Sequence, residues 1–240
     1  DYMDYWKEDI LQGLNSNMKI YAVSDIAKNN FIHNIGQWPI DLLPCGISEA
    51  KNYCIKKDKL FFAVIGSIYP IKGQDIFISA LKKLSKTYCC QAQFWIIGKV
   101  VDEDYYQQLK ELGKGLDNLT FLGEIEKSKM QEIYSQIDIL VVPSRNETLS
   151  LTAIEAMSYG KLCIVSDAAG ITQYISNMQN GIVFKNACVD ELVERLYWCI
   201  QNKNEIIKMK KEAKKTYERF FTMDVFQNNL LDVLQIERDA

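Results

Sequence analysis

The sequence predicts an α/β domain in which helices cover both faces of one parallel sheet, the doubly wound arrangement. From about residue 60, short apolar runs alternate with segments whose apolar residues recur at helical spacing. Several of these runs end at Gly or Pro, and the connections between them are short. The run at 137–142 is apolar at all but one position and stops at Pro143, which is typical of a strand buried on both faces. Together these observations indicate strands and helices that alternate in a parallel sheet.

Six strands are predicted, at 61–66, 94–98, 119–122, 137–142, 162–165 and 182–184. Each strand is followed by a predicted helix, centred on 76–84, 105–112, 130–134, 151–158, 171–176 and 189–200. The first helix carries its apolar residues on one face, at Ile76, Phe77, Ala80, Leu81 and Leu84. Ligands of doubly wound sheets bind at the carboxyl ends of the strands, so functional residues are expected in the loops that follow the strands.

The two ends of the chain depart from this repeating pattern. Residues 1–45 contain a predicted helix, a strand and a second helix, which are too few to bury a core of their own. We therefore expect 1–45 to be the remnant of a preceding domain with its linker, and 46–220 to form the α/β domain. Residues 204–236 are predicted to be helical, with lysines that form a solvated face. Within 221–240 we expect a helix that packs back toward the preceding domain.

Composition and charge exclude several classes of protein. The 240 residues are 48% hydrophobic and 25% charged, as in ordinary globular proteins, and no apolar run reaches the ~18–20 residues of a membrane span. A net charge of −3 gives no general attraction to nucleic acid, so we expect no nucleic-acid partner. The seven cysteines lack C-x-x-C spacing and fit core thiols in a reducing cytoplasm, where we expect the protein to reside. A single histidine leaves no histidine-based metal site or catalytic triad.

The most informative stretch runs from Pro143 to Met157. A buried strand ends at Pro143, a polar loop follows, and a helix begins near Ser150. The free N–H groups at the start of a helix and the helix dipole favour an anion, and this helix starts at the carboxyl end of the sheet. The sequence therefore predicts a phosphate-binding site at the start of this helix.

Two glutamates flank this predicted site. Glu147 and Glu155 are eight residues apart, which in a helix is about 800° of rotation and ~12 Å along the axis, so both lie within ~80° of one face. Carboxylates repel phosphate but accept hydrogen bonds from neutral hydroxyls, such as those of a sugar and a ribose on either side of it. By spacing alone, an alternative stays open in which Glu147 favours the helix start and Glu155 is an ordinary surface residue.

A second polar loop follows the first predicted strand, at residues 66–75. It matches neither a Walker A loop nor G-x-G-x-x-G, because Lys72 precedes Gly73 and no G-K-[ST] ends the loop. Gly66 would let the backbone approach a ligand closely, and Lys72 could neutralise phosphate charge just before a helix. A lysine that is merely solvated is the alternative at this position.

These residues, in this order, resemble a family of glycosyltransferases. The E-x7-E pattern of Glu147 and Glu155, with Ala156-Met157 after it, is similar to the nucleotide-sugar signature of the retaining GT-B enzymes of glycosyltransferase family 4 (group 1). Other stretches agree in order with that family: Ala22-Val23-Ser24, Leu43-Pro44-Cys45-Gly46-Ile47, Lys72-Gly73, Ile96-Ile97-Gly98, Phe121-Leu122-Gly123-Glu124-Ile125, and Gly160 to Asp167 with Gly170 after them. The resemblance covers roughly residues 18–236.

The resemblance implies a fold, a ligand and a role for each matching residue. The fold is the Rossmann-like, donor-binding C-terminal half of a GT-B enzyme, and the ligand is a nucleoside-diphosphate sugar, expected to be UDP-linked. Glu147 would hold hydroxyls of the transferred sugar, Glu155 the ribose hydroxyls, and Lys72 the leaving diphosphate, so that Lys72 and Glu147 are the expected catalytic residues. The loop and backbone groups expected around the diphosphate are Gly66, Ser67, Thr148, Leu149, Ser150 and Leu151. The expected base pocket comprises Gly98, Lys99, Gly123, Glu124, Ile125 and Met130.

Two residues depart from the family pattern. Ser67 stands where many members carry Arg, which leaves Lys72 as the main cation for the diphosphate. Ser150 stands where many members carry Gly, which implies a looser backbone approach or the use of the hydroxyl.

The implied activity is the retaining transfer of a hexosyl group to a glycan or lipid-linked acceptor, without an essential metal or other cofactor. A preceding N-terminal domain would bind the acceptor, so this chain is expected to bind a donor but to transfer little on its own. Peripheral membrane association of the full-length protein is a further option. Two alternatives remain: a non-catalytic nucleotide-sugar-binding partner of an active transferase, which Ser67 and Ser150 allow, and a nucleotide-sugar epimerase, which the single histidine disfavours.

Overall fold

The described part of the chain, residues 2–14, 18–50, 58–84 and 86–234 of a computed structural model, is built on a six-stranded parallel sheet. In chain order the strands are β1 (Ile20–Ala22), β2 (Ile40–Leu42), β3 (Leu60–Ile65), β4 (Ala92–Ile97), β5 (Leu119–Gly123), β6 (Ile139–Val142), β7 (Leu162–Ser166) and β8 (Ile182–Phe184). β1 and β2 form a separate parallel pair, and the other six lie in the order β5-β4-β3-β6-β7-β8. The predicted fold class is confirmed. Residues 235–240 of the predicted C-terminal segment lie outside the described residues.

Helices connect the strands and pack on both faces of the sheet. They are α1 (Tyr2–Gly13), α2 (Asp25–Asn34), α3 (Gln74–Lys83), α4 (Lys86–Cys89), α5 (Glu103–Leu112), α6 (Met130–Gln136), α7 (Leu151–Ser158), α8 (Val189–Gln201), α9 (Lys203–Phe220) and α10 (Met223–Leu234). Short 3₁₀ helices lie at Pro70–Lys72, Lys127–Lys129 and Gly170–Tyr174. The last of these takes the place of the helix predicted at 171–176.

The core has two layers, one on each face of the sheet. Phe62 of β3 belongs to a layer formed with α3, α5 and α8, whereas its neighbour Ala63 belongs to a layer formed with α6 and α7. Successive residues of a strand point to opposite faces, which is why one strand serves both layers. α9 also contributes to both, with Met209 in the first layer and Tyr217 in the second. It therefore crosses from one face of the sheet to the other.

The helix predicted at 204–236 is divided into α9 and α10. In a continuous helix the Phe221 carbonyl would accept from residue 225. Instead it accepts from Ile47 N at 2.8 Å, and Val225 N donates to Thr222 Oγ1 at 3.2 Å. Ile47 also forms an isolated parallel bridge with Thr222. Ile47, which precedes β3, thus takes the Phe221 carbonyl that would otherwise continue α9.

The lysines of α9 are not all solvated, which corrects the prediction for this helix. Lys208 is exposed, but Lys210 Nζ donates to Asp138 Oδ1 at 2.7 Å with both side chains 20% exposed. Lys214 Nζ donates to Ser158 O at 3.0 Å. Asp138 directly precedes β6, so these half-buried contacts fix α9 at the amino ends of the strands, opposite the edge where ligands of such sheets bind.

The N-terminal segment contacts the loops that follow β6 and β7. Ser24 caps α2, where its Oγ accepts from Ala27 N at 3.1 Å and donates to Thr148 O. Asp25 N donates to Gln173 Oε1 at 2.8 Å. These bonds bring the start of α2 to the carboxyl edge of the sheet.

The cysteines fit the prediction of core thiols only in part. Those in the described residues are free thiols, and Cys89, Cys163 and Cys199 are buried. Burial raises the pKa of the Cys163 thiol to about 12, which keeps it protonated. Cys90 is exposed, because it lies in the turn after α4, and the prediction is wrong for this residue. Cys54 lies outside the described residues.

Strand order reverses between the two central strands, β3 and β6. From β3 the chain proceeds outward through β4 and β5, and it then returns to the other side of β3 for β6, β7 and β8. Loops diverge at such a point and leave a crevice at the carboxyl edge. Beside this crevice two glycine backbones approach closely, since Gly66 N donates to Ile97 O at 2.9 Å and a Cβ on Gly98 would overlap Gly66 O.

Replacing Gly98 by alanine should destabilise the fold more than the same change at Gly66. Their backbone φ values are nearly equal, +153° and +155°, but a Cβ on Gly98 would overlap Gly66 O whereas a Cβ on Gly66 would meet nothing within 4 Å. Backbone strain should cost about 1–3 kcal/mol in either variant, and the forced displacement at Gly98 should add about 1–3 kcal/mol. Denaturant unfolding measures the difference in free energy. Equal losses in the two variants would contradict the close backbone approach.

Candidate functional site

A cavity of about 260 Å³ lies where β3 and β6 end. The carboxyl ends of both strands and the loops that follow them form its walls. Of the residues predicted from the sequence, those that line it are Gly66, Ser67, Lys72, Glu147, Ser150 and Leu151. The cavity thus occupies the point at which strand order reverses, where ligands of doubly wound sheets bind.

The loop after β3 brings Lys72 to this cavity. Pro70–Lys72 forms a 3₁₀ turn that ends at Gly73, whose φ of +70° lies in the left-handed region. A Cβ on Gly73 would overlap Pro143 O, so glycine is needed both for the backbone conformation and for the approach to the loop after β6. This close contact holds Lys72 beside the residues that follow Pro143.

Glu147 lies directly opposite Lys72. Lys72 Nζ donates to Glu147 Oε2, and the two side chains are 25% and 16% exposed. Backbone bonds to the loop after β7 hold the glutamate in place, because Glu147 N donates to Ala168 O at 3.1 Å and Gly170 N donates to Glu147 O at 2.9 Å. A cation and an anion therefore adjoin on one wall of the cavity, which suits a ligand with an anionic part next to a hydroxyl-bearing part.

The start of α7 forms the wall next to Glu147. Ser150 precedes the helix with φ +77° and ψ +82°, a left-handed conformation, and its Oγ lies 3.3 Å from Thr152 Oγ1. Glycine, the residue that the resemblance leads us to expect here, would adopt this φ without strain. Thr148 is exposed and Leu149 is buried in the core, so the Leu149 side chain is turned away from a ligand. The first N–H groups of α7 have no intrahelical partners, as at the start of any helix.

Glu155 lies farther along α7 and does not line the cavity. Its Oε2 accepts from Tyr134 OH at 2.5 Å, and the Tyr134 ring stacks on Tyr159 with centroids 5.0 Å apart. Burial and the neighbouring Glu155 carboxylate raise the pKa of Tyr134 well above its usual range, so the phenol stays a hydrogen-bond donor. The sequence left open whether Glu155 binds a ligand or is an ordinary surface residue. Because a buried tyrosine orients its carboxylate, Glu155 is not an ordinary surface residue.

The residues expected around the base follow β4 and β5 at the same edge of the sheet but do not line the cavity. Gly98 N donates to Gly123 O at 2.8 Å, which joins the two loops. Lys99 and Glu124 are exposed, whereas two partly buried side chains of this group pack on the core, namely Ile125 and Met130. Gly98 links this group to the cavity, since a Cβ on Gly98 would overlap the carbonyl oxygen of Gly66, which lines the cavity.

Three polar residues that line the cavity were missed by the sequence analysis: Gln74, Ser144 and Thr152. Gln74 is fully buried, and its Nε2 donates to Ser67 O at 2.9 Å. A signal for Gln74 was present, because positions 74, 77, 78 and 81 form the buried face of α3 and Gln74 is the polar member of that face. Ser144 and Thr152 carry no comparable pattern.

The family model described as glycosyl transferases group 1 matches residues 48–216, more than two thirds of the chain. The chain belongs to this family. The matched residues include the loops that carry Lys72 and Glu147 and the helix that carries Glu155, so the resemblance drawn from those motifs is confirmed at the level of the group.

Curated relatives of this chain extend beyond the matched region. An uncharacterized glycosyltransferase of Methanocaldococcus jannaschii is 26% identical over 208 residues, which are 86% of this chain and 56% of the relative. A D-inositol 3-phosphate glycosyltransferase of Mycobacteroides abscessus is 24% identical over 168 residues, 63% of this chain and 37% of that protein. The chain therefore spans about half the length of the first relative and less of the second.

Solved structures similar to this chain share its fold. The HepE protein of Anabaena, solved in complex with UDP and glucose, superposes with a TM-score of 0.84 at 17% identity, over 98% of this chain and 67% of that one. A glycosyltransferase from Rickettsia africae gives a TM-score of 0.78 at 18% identity, over 98% of this chain and 68% of that one. At these identities the likeness establishes the fold, which matches that of GT-B glycosyltransferases.

Among the residues that the structure describes, no three His, Cys, Asp or Glu side chains are grouped so that they could hold a metal ion. None of the helices in the described ranges is long and apolar enough to cross a bilayer. Lys72 and Glu147 are charged side chains that line the cavity.

Replacing Ser150 by glycine should stabilise the fold of this chain. Glycine adopts the observed φ of +77° without the strain that a Cβ imposes. Relief of that strain should add about 1 kcal/mol to the free energy of unfolding and raise Tm by about 2–4 °C. Ser150→Ala removes the hydroxyl but keeps the Cβ, and this control should not raise Tm. If thermal unfolding shows Ser150→Gly at or below the wild-type Tm, the strain assigned to Ser150 is wrong.

Proposed function

We propose that this chain is the donor-binding half of a retaining glycosyltransferase of the family 4 type and that it binds a UDP-sugar. The observation that carries the proposal is the pairing of Lys72 with Glu147 in the cavity where β3 and β6 end. A nucleotide sugar presents an anionic diphosphate next to a hydroxyl-bearing sugar. The adjacent ammonium and carboxylate match these two parts.

The proposed roles follow the order of the ligand's own parts. Glu147 accepts hydrogen bonds from hydroxyls of the transferred sugar, and Glu155 accepts from the ribose hydroxyls. The base lies against the loops after β4 and β5. Because negative charge develops on the diphosphate as the glycosidic bond breaks, Lys72 and the N–H groups at the start of α7 stabilise the leaving group.

Uridine as the base is supported by a structural neighbour, because the HepE protein of Anabaena was solved in complex with UDP-glucose. The fold match to that protein covers 97% of this chain with a TM-score of 0.84. We therefore take UDP-glucose as the first ligand to test.

The proposed reaction is the transfer of a hexosyl group to a hydroxyl of a glycan or lipid-linked acceptor. In this proposal residues 1–45 are the end of an acceptor-binding domain, 46–220 form the donor domain, and 221–240 contain a helix that returns toward the acceptor domain. The full-length protein would work in the cytoplasm or at its membrane surface. The curated relatives support a longer protein, since the first of them extends well beyond the aligned 208 residues.

Calorimetric titration of the chain with UDP, GDP, ADP and their glucose conjugates tests the donor site. We expect UDP and UDP-glucose to bind with micromolar Kd values, and the guanosine and adenosine ligands to bind more weakly. If none of these ligands binds below the millimolar range, the proposal fails.

Three substitutions should separate the proposed roles. Glu155→Gln and Lys72→Met should each weaken the binding of both UDP and UDP-glucose. Glu147→Gln should weaken the binding of UDP-glucose and leave the binding of UDP unchanged. A lost hydrogen bond to a charged group costs about 1.5–3 kcal/mol, which is about 10- to 100-fold in Kd. The control is Glu194→Gln, an exposed glutamate of α8, which should change neither Kd. Equal losses for both ligands in Glu147→Gln would contradict the role of Glu147 at the sugar.

The affinity for UDP-glucose should not change when EDTA is added. Lys72 and the start of α7 are proposed to neutralise the diphosphate, so no metal ion is needed for that purpose. The measurement is the same titration in EDTA and in Mg²⁺ or Mn²⁺. A Kd that improves about 10-fold or more with either ion would overturn the metal-free part of the proposal.

A further inference from the structure

A second ion pair joins the two loops that carry Lys72 and Glu147. Asp75 lies three residues after Lys72, and Arg145 lies two residues before Glu147. Arg145 Nη1 donates to Asp75 Oδ1 at 2.9 Å, and Arg145 Nη2 donates to Asp75 Oδ2 at 2.7 Å. We call this bidentate pair the Asp75–Arg145 clamp.

Further bonds hold both members of the clamp. Arg145 Nη1 also donates to Pro70 O at 2.6 Å, and Arg145 N donates to Ile71 O at 2.8 Å. On the other side, Tyr105 OH donates to Asp75 Oδ1 at 2.7 Å. Burial alone would raise the pKa of Asp75, but the hydrogen bonds from Arg145 and Tyr105 outweigh burial and lower it. The carboxylate therefore stays charged at neutral pH.

The direct bond between Lys72 and Glu147 cannot set their spacing while a donor is bound. Under the proposed function Lys72 turns to the diphosphate and Glu147 to the sugar hydroxyls, so bonds to the ligand replace the bond between them. The clamp does not include the side chain of Lys72 or Glu147, so it persists when the donor is bound. A guanidinium on a carboxylate fixes orientation as well as distance, because its planar fork makes two parallel hydrogen bonds.

We propose that Asp75 and Arg145 are positioning residues, which hold Lys72 and Glu147 at the separation that one nucleotide sugar spans. This inference rests on the proposed function. Under that function UDP contacts Lys72 but has no transferred sugar for Glu147, so loss of the clamp should weaken the binding of UDP-glucose more than the binding of UDP.

Asp75→Asn and Arg145→Gln, each titrated with UDP and with UDP-glucose, test the clamp. The affinity for UDP-glucose should fall about 10-fold or more, as expected when a well-placed hydrogen bond to a carboxylate is lost. The affinity for UDP should fall less than the affinity for UDP-glucose, because UDP depends on Lys72 but not on Glu147. Arg145→Lys keeps the charge but loses the planar fork of the guanidinium. Its affinity for UDP-glucose should lie between those of the wild type and of Arg145→Gln.

Two controls separate positioning from stability. Tyr105→Phe removes two bonds with Asp75, one donated to Oδ1 and one accepted from Asp75 N, but leaves both bonds from Arg145. Lys210→Met removes an ion pair of the same 2.7 Å length at the opposite edge of the sheet. Both controls should lower Tm and leave the ratio of the two Kd values unchanged.

Two outcomes would contradict the positioning role of the clamp and leave the proposed function intact. In one, both clamp variants bind UDP-glucose within about 3-fold of the wild type. In the other, they lose affinity for UDP and UDP-glucose equally, which would indicate general damage to the site. A wild-type chain that binds neither ligand would overturn the proposed function, and this inference with it.

Discussion

The candidate site depends on how closely the loops after β3 and β6 approach each other. Gly73 permits that approach, because any side chain there would overlap the carbonyl of Pro143. The residue before Gly73 is Lys72, and Glu147 follows Pro143 by four positions, so one backbone contact brings together two charges that are 75 positions apart in the chain. The same contact lies at the reversal of strand order, where the sheet leaves room for a ligand. The positions of the cation, the anion and the cavity therefore share one steric cause.

At the opposite edge of the sheet, α9 holds the amino end of β6 in place. There α9 passes from one layer of the core to the other, with Met209 and Tyr217 in different layers. Lys210 on Asp138 holds this crossing helix at the amino end of β6. Because β6 carries Pro143 at its other end, the strand that delivers Glu147 to the site is anchored at both of its ends. An anchored strand keeps the loop after it in a narrow range of positions, which a binding site requires.

Periodicity was sufficient to predict the fold, because burial on both faces of a parallel sheet produces apolar runs that are visible one strand at a time. It placed six strands and the loops that carry Lys72 and Glu147. It could not predict contacts that depend on tertiary approach. The Asp75–Arg145 pair joins residues 70 positions apart, and charged residues in loops are usually solvated. Lys210 lies in the same lysine-rich run as its exposed neighbours, so the sequence did not distinguish it from them. The left-handed φ of Ser150 was also hidden, because serine is not a residue that marks such a conformation.

Ser24 has a consequence for movement of the chain. One hydroxyl caps α2 through Ala27 N and also donates to the carbonyl of Thr148, the residue after Glu147. A rotation of α2 away from the sheet must break this second bond, which leaves the loop of the carboxylate with its bonds to the loop after β7 and to Asp75. The docking of the N-terminal segment and the order of the Glu147 loop are therefore coupled. A partner or domain that shifted α2 would act on the cavity through this hydroxyl.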